Sequence, residues 1–276
     1  MRVALFQGPE TPAGVAGNLE RLETVAADAA ARNARLLILP EMYLTGYNIG
    51  KEAVRELAEP AAGPSSERAV DIARKCGVAL IYGYPERDGD AVYNACLLID
   101  RDGRRLANYR KSHLFGDLDR GMFDAGPGEA VLAELDGTRL GMLICYDLEF
   151  PENARRLALS GVDFIAVPTA LMHPYEFIAR SMVPSRAYEN QLFIAYANRC
   201  GRESKLGYYG LSCIVGPDGN DLARAGSGEE LIVADLDFGL LERSRRINTY
   251  LADRRPSLYG ALTKPSAESG PTRKTE

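Results

Sequence analysis

Histidine is nearly absent from this 276-residue chain, which carries only His113 and His173. Two imidazoles leave little room for a histidine-rich metal centre or a Ser-His-Asp triad. The cysteines (Cys76, Cys96, Cys145, Cys200 and Cys213) are odd in number and widely spaced. They form neither a CxxC pair nor a disulfide framework, and read as reduced thiols, mostly packed as small apolar groups. There is no G-x-S-x-G elbow, no G-x-G-x-x-G turn and no Walker A run, which sets aside several common enzyme classes. No apolar run approaches the ~20 residues of a membrane span. The net charge is −5 and no basic block interrupts the chain, so the electrostatic footprint of a nucleic-acid binder is missing. Met1–Gln7 lacks the apolar core and cleavage site of a signal peptide. The expectation is a soluble cytoplasmic protein that binds neither nucleic acid nor membrane.

What is present is an ordinary globular balance, 46% apolar and 26% charged residues, at a length that suits one large domain. Short apolar strands alternate with helical patterns. Val3–Gln7, Arg35–Glu41, Val78–Gly83, Leu140–Cys145, Phe164–Pro168 and Phe193–Asn198 read as strands of the buried type. Asn18–Asn33, Ser65–Lys75, Pro151–Leu159 and Tyr175–Asn190 read as helices, the third opened by a proline and Glu152 in its first turn. Val92–Ile99, Arg105–Arg110 and Val131–Leu135, joined by short polar turns, predict antiparallel hairpins. Leu211–Val215, Leu222–Ala225 and Leu231–Leu236 add more strand. A dozen strands overfill one open sheet, so the expected fold is α/β, an αββα sandwich of two mixed sheets with outer helices. Residues 1–263 read as a single domain and 264–276 as a loose polar tail.

Three of the buried strands end in chemistry-bearing residues: Leu36–Leu39 before Pro40-Glu41, Leu140–Ile144 before Cys145, and Phe164–Val167 before Pro168-Thr169. Ligands of α/β sheets bind beyond such carboxyl ends. Were these strands parallel neighbours, Glu41 and Cys145 would meet, and a carboxylate can take the proton of a nucleophilic thiol. Lys111, after the strand Arg105–Arg110, supplies a cation suited to a thiolate or an oxyanion. Taken singly, these read as a packed thiol, a solvated carboxylate and a surface lysine. His113 is an alternative base two residues past Lys111.

Together they form a pattern. Leu39-Pro40-Glu41-Met42-Tyr43-Leu44-Thr45-Gly46-Tyr47, Tyr109-Arg110-Lys111-Ser112-His113-Leu114-Phe115 and Leu143-Ile144-Cys145-Tyr146-Asp147-Leu148-Glu149-Phe150-Pro151-Glu152 resemble the glutamate, lysine and cysteine motifs of the nitrilase (carbon–nitrogen hydrolase) superfamily. The resemblance runs from Met1 to about Tyr259. It implies an amidase-type enzyme with Glu41, Lys111 and Cys145 as catalytic residues, no metal or organic cofactor, and protomers paired into a homodimer or higher assembly. Many members carry a second glutamate seven or eight residues after the lysine; the nearest acid here is Asp119, a departure that leaves its role between orienting Lys111 and orienting substrate, with Asp117 as the rival. The backbone N–H of Tyr146 is the implied second oxyanion donor.

Met42–Gly50, Tyr82–Glu86 and His113–Arg120 are most similar to the aliphatic amidase branch, and within it to the 5-aminopentanamidases. That likeness implies a short primary amide with a terminal amine as substrate. An ammonium calls for a carboxylate or an aromatic face, and the candidates are Tyr47, Asp119, Glu149 and Glu176. An ω-amidase or general aliphatic amidase, a nitrilase with the same three residues, and a non-catalytic interaction protein on this fold are the alternatives.

Overall fold

The computed structural model describes residues 1–264; all but the first residue of the expected tail lies outside them. The first half of the chain runs β1 (Arg2–Gln7), α1 (Gly14–Ala31), β2 (Leu36–Ile38), α2 (Lys51–Leu57), α3 (Pro64–Cys76), β3 (Ala79–Asp88), β4 (Ala91–Ile99), β5 (Arg105–Arg110) and α4 (Gly116–Met122). The second runs β6 (Leu132–Leu135), β7 (Thr138–Met142), α5 (Pro151–Leu159), β8 (Phe164–Pro168), α6 (Val183–Asn190), β9 (Phe193–Ala197), β10 (Cys200–Glu203), β11 (Leu206–Tyr209), β12 (Cys213–Val215), β13 (Asp221–Arg224), β14 (Glu230–Asp235) and α7 (Phe238–Ile247).

Two six-stranded sheets result, ordered β14-β1-β2-β3-β4-β5 and β13-β12-β9-β8-β7-β6. In each, three central strands run parallel (β1, β2, β3; β7, β8, β9) and the flanking strands run antiparallel. Both sheets are therefore mixed, as expected, with helical crossovers between the parallel strands.

The side-chain period of two decides the layers. Along β1, Val3 and Leu5 face the other sheet, whereas Ala4 and Phe6 face α1 and α3. The same division holds in β2, where Leu36 and Ile38 point one way and Leu37 the other. Strands buried on both faces read as unbroken apolar runs rather than alternating ones. α1 turns Leu22, Val25, Ala26 and Ala29 inward. α3 starts on Pro64 and stops at Gly77, whose φ of 68° is the left-handed helix stop that glycine tolerates best. α5 and α6 cover the second sheet with Leu157, Ala158, Val183 and Ala187.

Several elements depart from expectation. α2, α4, α7 and the β10–β11 hairpin were not foreseen, and the predicted helix Tyr175–Asn190 is a π-type turn over Ile178–Met182 leading into α6. More consequential for function, β2 and β7 are not neighbours in one sheet. They lie in different sheets, and the Glu41 N–H reaches the Thr169 carbonyl at 3.3 Å to join the carboxyl ends of the two stacks. Glu41 and Cys145 meet face to face across the sandwich.

Glycine at position 83 permits this meeting. A Cβ there would lie 2.4 Å from the Met42 nitrogen and 2.8 Å from the Glu41 Cα, both backbone atoms that cannot swing aside. Gly83→Ala should therefore push the Glu41 segment off β3. A displacement of about 1 Å at a reacting group lowers turnover on the order of 10²-fold. Steady-state assay beside a thermal melt checks this, and full activity in a folded variant would refute it.

Candidate active site

Glu41 follows β2 through Leu39 and Pro40 into a turn where Met42 takes a positive φ of 50°. Its side chain is wholly buried. Oε1 accepts from Lys111 Nζ at 2.7 Å and from Asn94 Nδ2 at 2.7 Å, while Oε2 is buried with no partner. Lys111 leaves the end of β5 equally buried, and its ammonium also donates to Asp119 Oδ2 at 2.6 Å. Asp119, on α4, is held by the Tyr47 hydroxyl at 2.7 Å and the Phe115 N–H at 2.9 Å. One ammonium thus bridges two carboxylates away from water.

The electrostatics follow from that burial. Removal from water pushes the Glu41 carboxyl above its ordinary range, with Lys111 pulling it back. Burial works against the Lys111 ammonium too, but Asp119 and Glu41 outweigh it and hold Lys111 firmly charged. Burial, then the Glu41 charge, raises the Cys145 thiol well above its usual value, opposed by Lys111 and by the Ala170 backbone N–H. The thiol rests protonated and needs a base to become a nucleophile.

Cys145 opens a 3₁₀ turn over Cys145–Glu149, which follows β7 through Leu143 and Ile144. Its φ of +47° lies in the left-handed region, a conformation that costs a non-glycine residue ~1–3 kcal/mol and persists only where the surroundings impose it. Asp147 does much of the imposing. Its buried carboxylate accepts from the Ile144 N–H at 3.3 Å, the Tyr109 hydroxyl at 2.8 Å and the His113 N–H at 2.9 Å. The His113 Nδ1 also lies 2.9 Å from Asp147, and its ring stacks on Phe150 at 4.1 Å. His113 therefore braces the nucleophile turn. β5 ends at Arg110, so His113 and Lys111 both lie beyond the strand, and no strand alternation sets them on one side.

Below this cluster lies a second buried pair. Arg199 donates to the carbonyls of Glu41 at 3.3 Å and Met42 at 3.2 Å, and its Nη2 stands 3.9 Å from Glu203. Glu203 in turn accepts from the backbone N–H of Tyr47 and of Asn48 and from the Tyr208 hydroxyl. The β10 segment thereby fixes the Glu41 turn through its backbone.

The remaining predicted site residues fall out as follows. Tyr47 is buried with its hydroxyl committed to Asp119, so it supports Lys111 from behind and does not offer that hydroxyl to substrate. Glu149 is half-buried on the Cys145 turn. Glu176 pairs with His173 at the surface, where its carboxylate is engaged. Tyr146 follows Cys145 on the same turn, with Phe115 at 5.4 Å and Phe150 at 4.9 Å as edge-to-face neighbours. Asn94, Asp147, Arg199 and Glu203 were missed by sequence reasoning. Only Asp147 lay inside a recognised motif.

Thiol, carboxylate and ammonium are thus delivered from the ends of strands in two stacked sheets, the arrangement of nitrilase-type hydrolases. The chain belongs to that superfamily, its residues 2–246 matching the model of the carbon–nitrogen hydrolase family. It is 57% identical to a hydrolase of the pqqF 5′ region from Pseudomonas protegens over 96% of this chain and 92% of that protein. It is 36% identical to an (R)-stereoselective amidase from Pseudomonas sp. over 96% and 95% of the two chains. The crystal structure of an amidase from Nesterenkonia sp. superposes with a TM-score of 0.82 at 33% identity, covering 95% of this chain and 96% of that one. The protein is a cysteine-dependent hydrolase acting on amides.

Replacing Arg199 by methionine should strand the buried Glu203 charge and loosen the Glu41 turn. Removing one partner of a buried pair costs about 3–5 kcal/mol. Chemical denaturation should register that loss, and a stability within 1 kcal/mol of wild type, roughly the scale of an exposed pair, would remove Arg199 from this role.

Proposed function

We propose that the enzyme hydrolyses short aliphatic primary amides, with ω-amino amides such as 5-aminopentanamide preferred, to the carboxylic acid and ammonia. The observation that carries the chemistry is the buried Lys111 bridge between Glu41 and Asp119 beside the turn of Cys145. Glu41, its Oε2 unpartnered, takes the thiol proton as the Cys145 sulfur bonds to the amide carbonyl carbon. The Lys111 ammonium and the Tyr146 N–H donate to the resulting oxyanion. On collapse the C–N bond breaks, Glu41 returns the proton to departing ammonia, and a thioester remains on Cys145. Water, deprotonated by Glu41, then releases the acid and restores the thiol. Asp119 acts through Lys111, keeping its ammonium oriented and charged.

Solved variants of the Nesterenkonia amidase support these roles. One has the acetamide moiety of fluoroacetamide added covalently at the active-site cysteine, and another, substituted at both its glutamate and its cysteine, holds acrylamide. The positions substituted there, 41 and 145, carry the same numbers as Glu41 and Cys145 here. Nitrile hydrolysis is the second reading, favoured by 36% identity to a nitrilase of Pyrococcus abyssi; ammonia release from matched amides and nitriles decides between them.

Cys145→Ala should abolish turnover without unfolding the protein, and mass spectrometry of wild type with a slow amide should find the acyl adduct on the Cys145 peptide. Glu41→Gln should lower kcat by at least ~10²–10⁴-fold, and Lys111→Met by ~10²–10³-fold. An adduct on another cysteine, or near-normal turnover in either variant, defeats the assignment.

For the substrate, kcat/KM for 5-aminopentanamide should exceed that for pentanamide by roughly 10- to 100-fold, the worth of a charge-assisted contact. Equal rates would make this a general aliphatic amidase.

A further inference from the structure

The Cys145 turn carries a second acid that the chemistry above does not use. Glu149 sits at its far end, half-buried. Its backbone is fixed, because Arg186 on α6 donates Nη2 to the Glu149 carbonyl at 2.9 Å and Nε to the Leu148 carbonyl at 3.2 Å. Its carboxylate is not. The Arg186 guanidinium is spent on those carbonyls and on Glu189 at 3.0 Å, and the Lys111 ammonium on Glu41 and Asp119. Among the described residues the Glu149 carboxylate has neither an ion pair nor a hydrogen bond of its own.

The phenols of Tyr196 on β9 and Tyr209 on β11 are buried against each other, Tyr196 also against Thr169, and both feel the charges of Cys145 and of Glu149. The Glu149 charge acts on the Cys145 thiol as well as on both phenols, which groups the four residues around one site. Around the same turn Tyr146 meets Phe150 and Phe115 edge to face, and Phe115 meets Tyr175 in the same way, an aromatic group that suits a short methylene chain.

We propose that Glu149 is the specificity-determining residue that reads the charge at the distal end of the substrate, its carboxylate favouring an ω-ammonium over an ω-carboxylate while Tyr196 and Tyr209 line the same pocket. This rests on the amidase chemistry above but not on which amide is preferred. Burial, opposed by Lys111 and Arg186, raises the Glu149 carboxyl to about 7. The groups facing it are Lys111, Arg186, Cys145, Tyr196 and Tyr209. The carboxylate is therefore present above pH 7 and is lost as pH falls below it. Charge selectivity is correspondingly strongest on the alkaline side.

The test compares kcat/KM for 5-aminopentanamide, pentanamide and glutaramate between pH 6 and 9. Across that range the substrate amine (about 10) and carboxylate (about 4) do not titrate. In wild type the amine-to-carboxylate ratio should rise with pH through a midpoint near 7, since kcat/KM reports groups of the free enzyme. In Glu149→Gln the ratio should fall roughly 10- to 100-fold and lose its pH dependence. A ratio unchanged by the substitution, or one flat with pH in wild type, overturns the role of Glu149. If the amine and pentanamide react alike in wild type while the ratio to glutaramate still collapses in Glu149→Gln, the preferred substrate above is wrong and Glu149 stands as a barrier to anions. Equal losses for all three substrates would make Glu149 a structural residue and end the proposal.

Discussion

The whole site is organised around one buried ammonium. Lys111 has no access to water, and its charge is tolerable only because Glu41 and Asp119 both touch it. Ions moved out of water lose several kcal/mol each unless geometry and further hydrogen bonds compensate. Asn94, Tyr47 and the Phe115 N–H supply those bonds. The arrangement leaves one net negative charge for the substrate's polar groups to meet. In the proposed mechanism it also fixes a donor where an oxyanion develops, so little reorganisation is needed at the moment of reaction.

Around that centre the surrounding structure works mostly through backbone. Arg199 and Glu203 hold the turn of Glu41 by its carbonyls and N–H groups, and Asp147 holds the turn of Cys145 in the same way. Both turns contain a non-glycine residue at positive φ, Met42 and Cys145. Strain at each functional turn is thus balanced by a buried carboxylate that binds backbone.

The sequence made the strand–helix alternation, the two-sheet architecture and the three motif residues readable, because apolar periodicity and short motifs are local signals. The parts that stayed hidden were those set by contacts between distant segments. Asn94 sits in an apolar strand and looks like a lone polar interruption; only the packing of β4 beside the Glu41 turn gives it a purpose. Arg199 and Glu203 lie in a short hairpin with few apolar residues. α7 and α2 are short and bury only Leu241, Ser244 and Val54, so each leaves few apolar residues for a sequence reading to find. Tyr47 fitted a substrate contact by chemistry alone, and its bond to Asp119 reassigns it. Asp119 resembled a shortened second glutamate, and its distance to Lys111 shows how α4 brings the shorter side chain within reach.

The bond between the Glu41 N–H and the Thr169 carbonyl spans the seam between the two sheets. Glu41 and Lys111 belong to one sheet, Cys145 to the other. The seam acts as an interlock: any fluctuation that parts the sheets separates the Glu41 carboxylate from the Cys145 thiol, which rests protonated without it. In the proposed chemistry, a partly opened molecule is thereby disarmed as it opens.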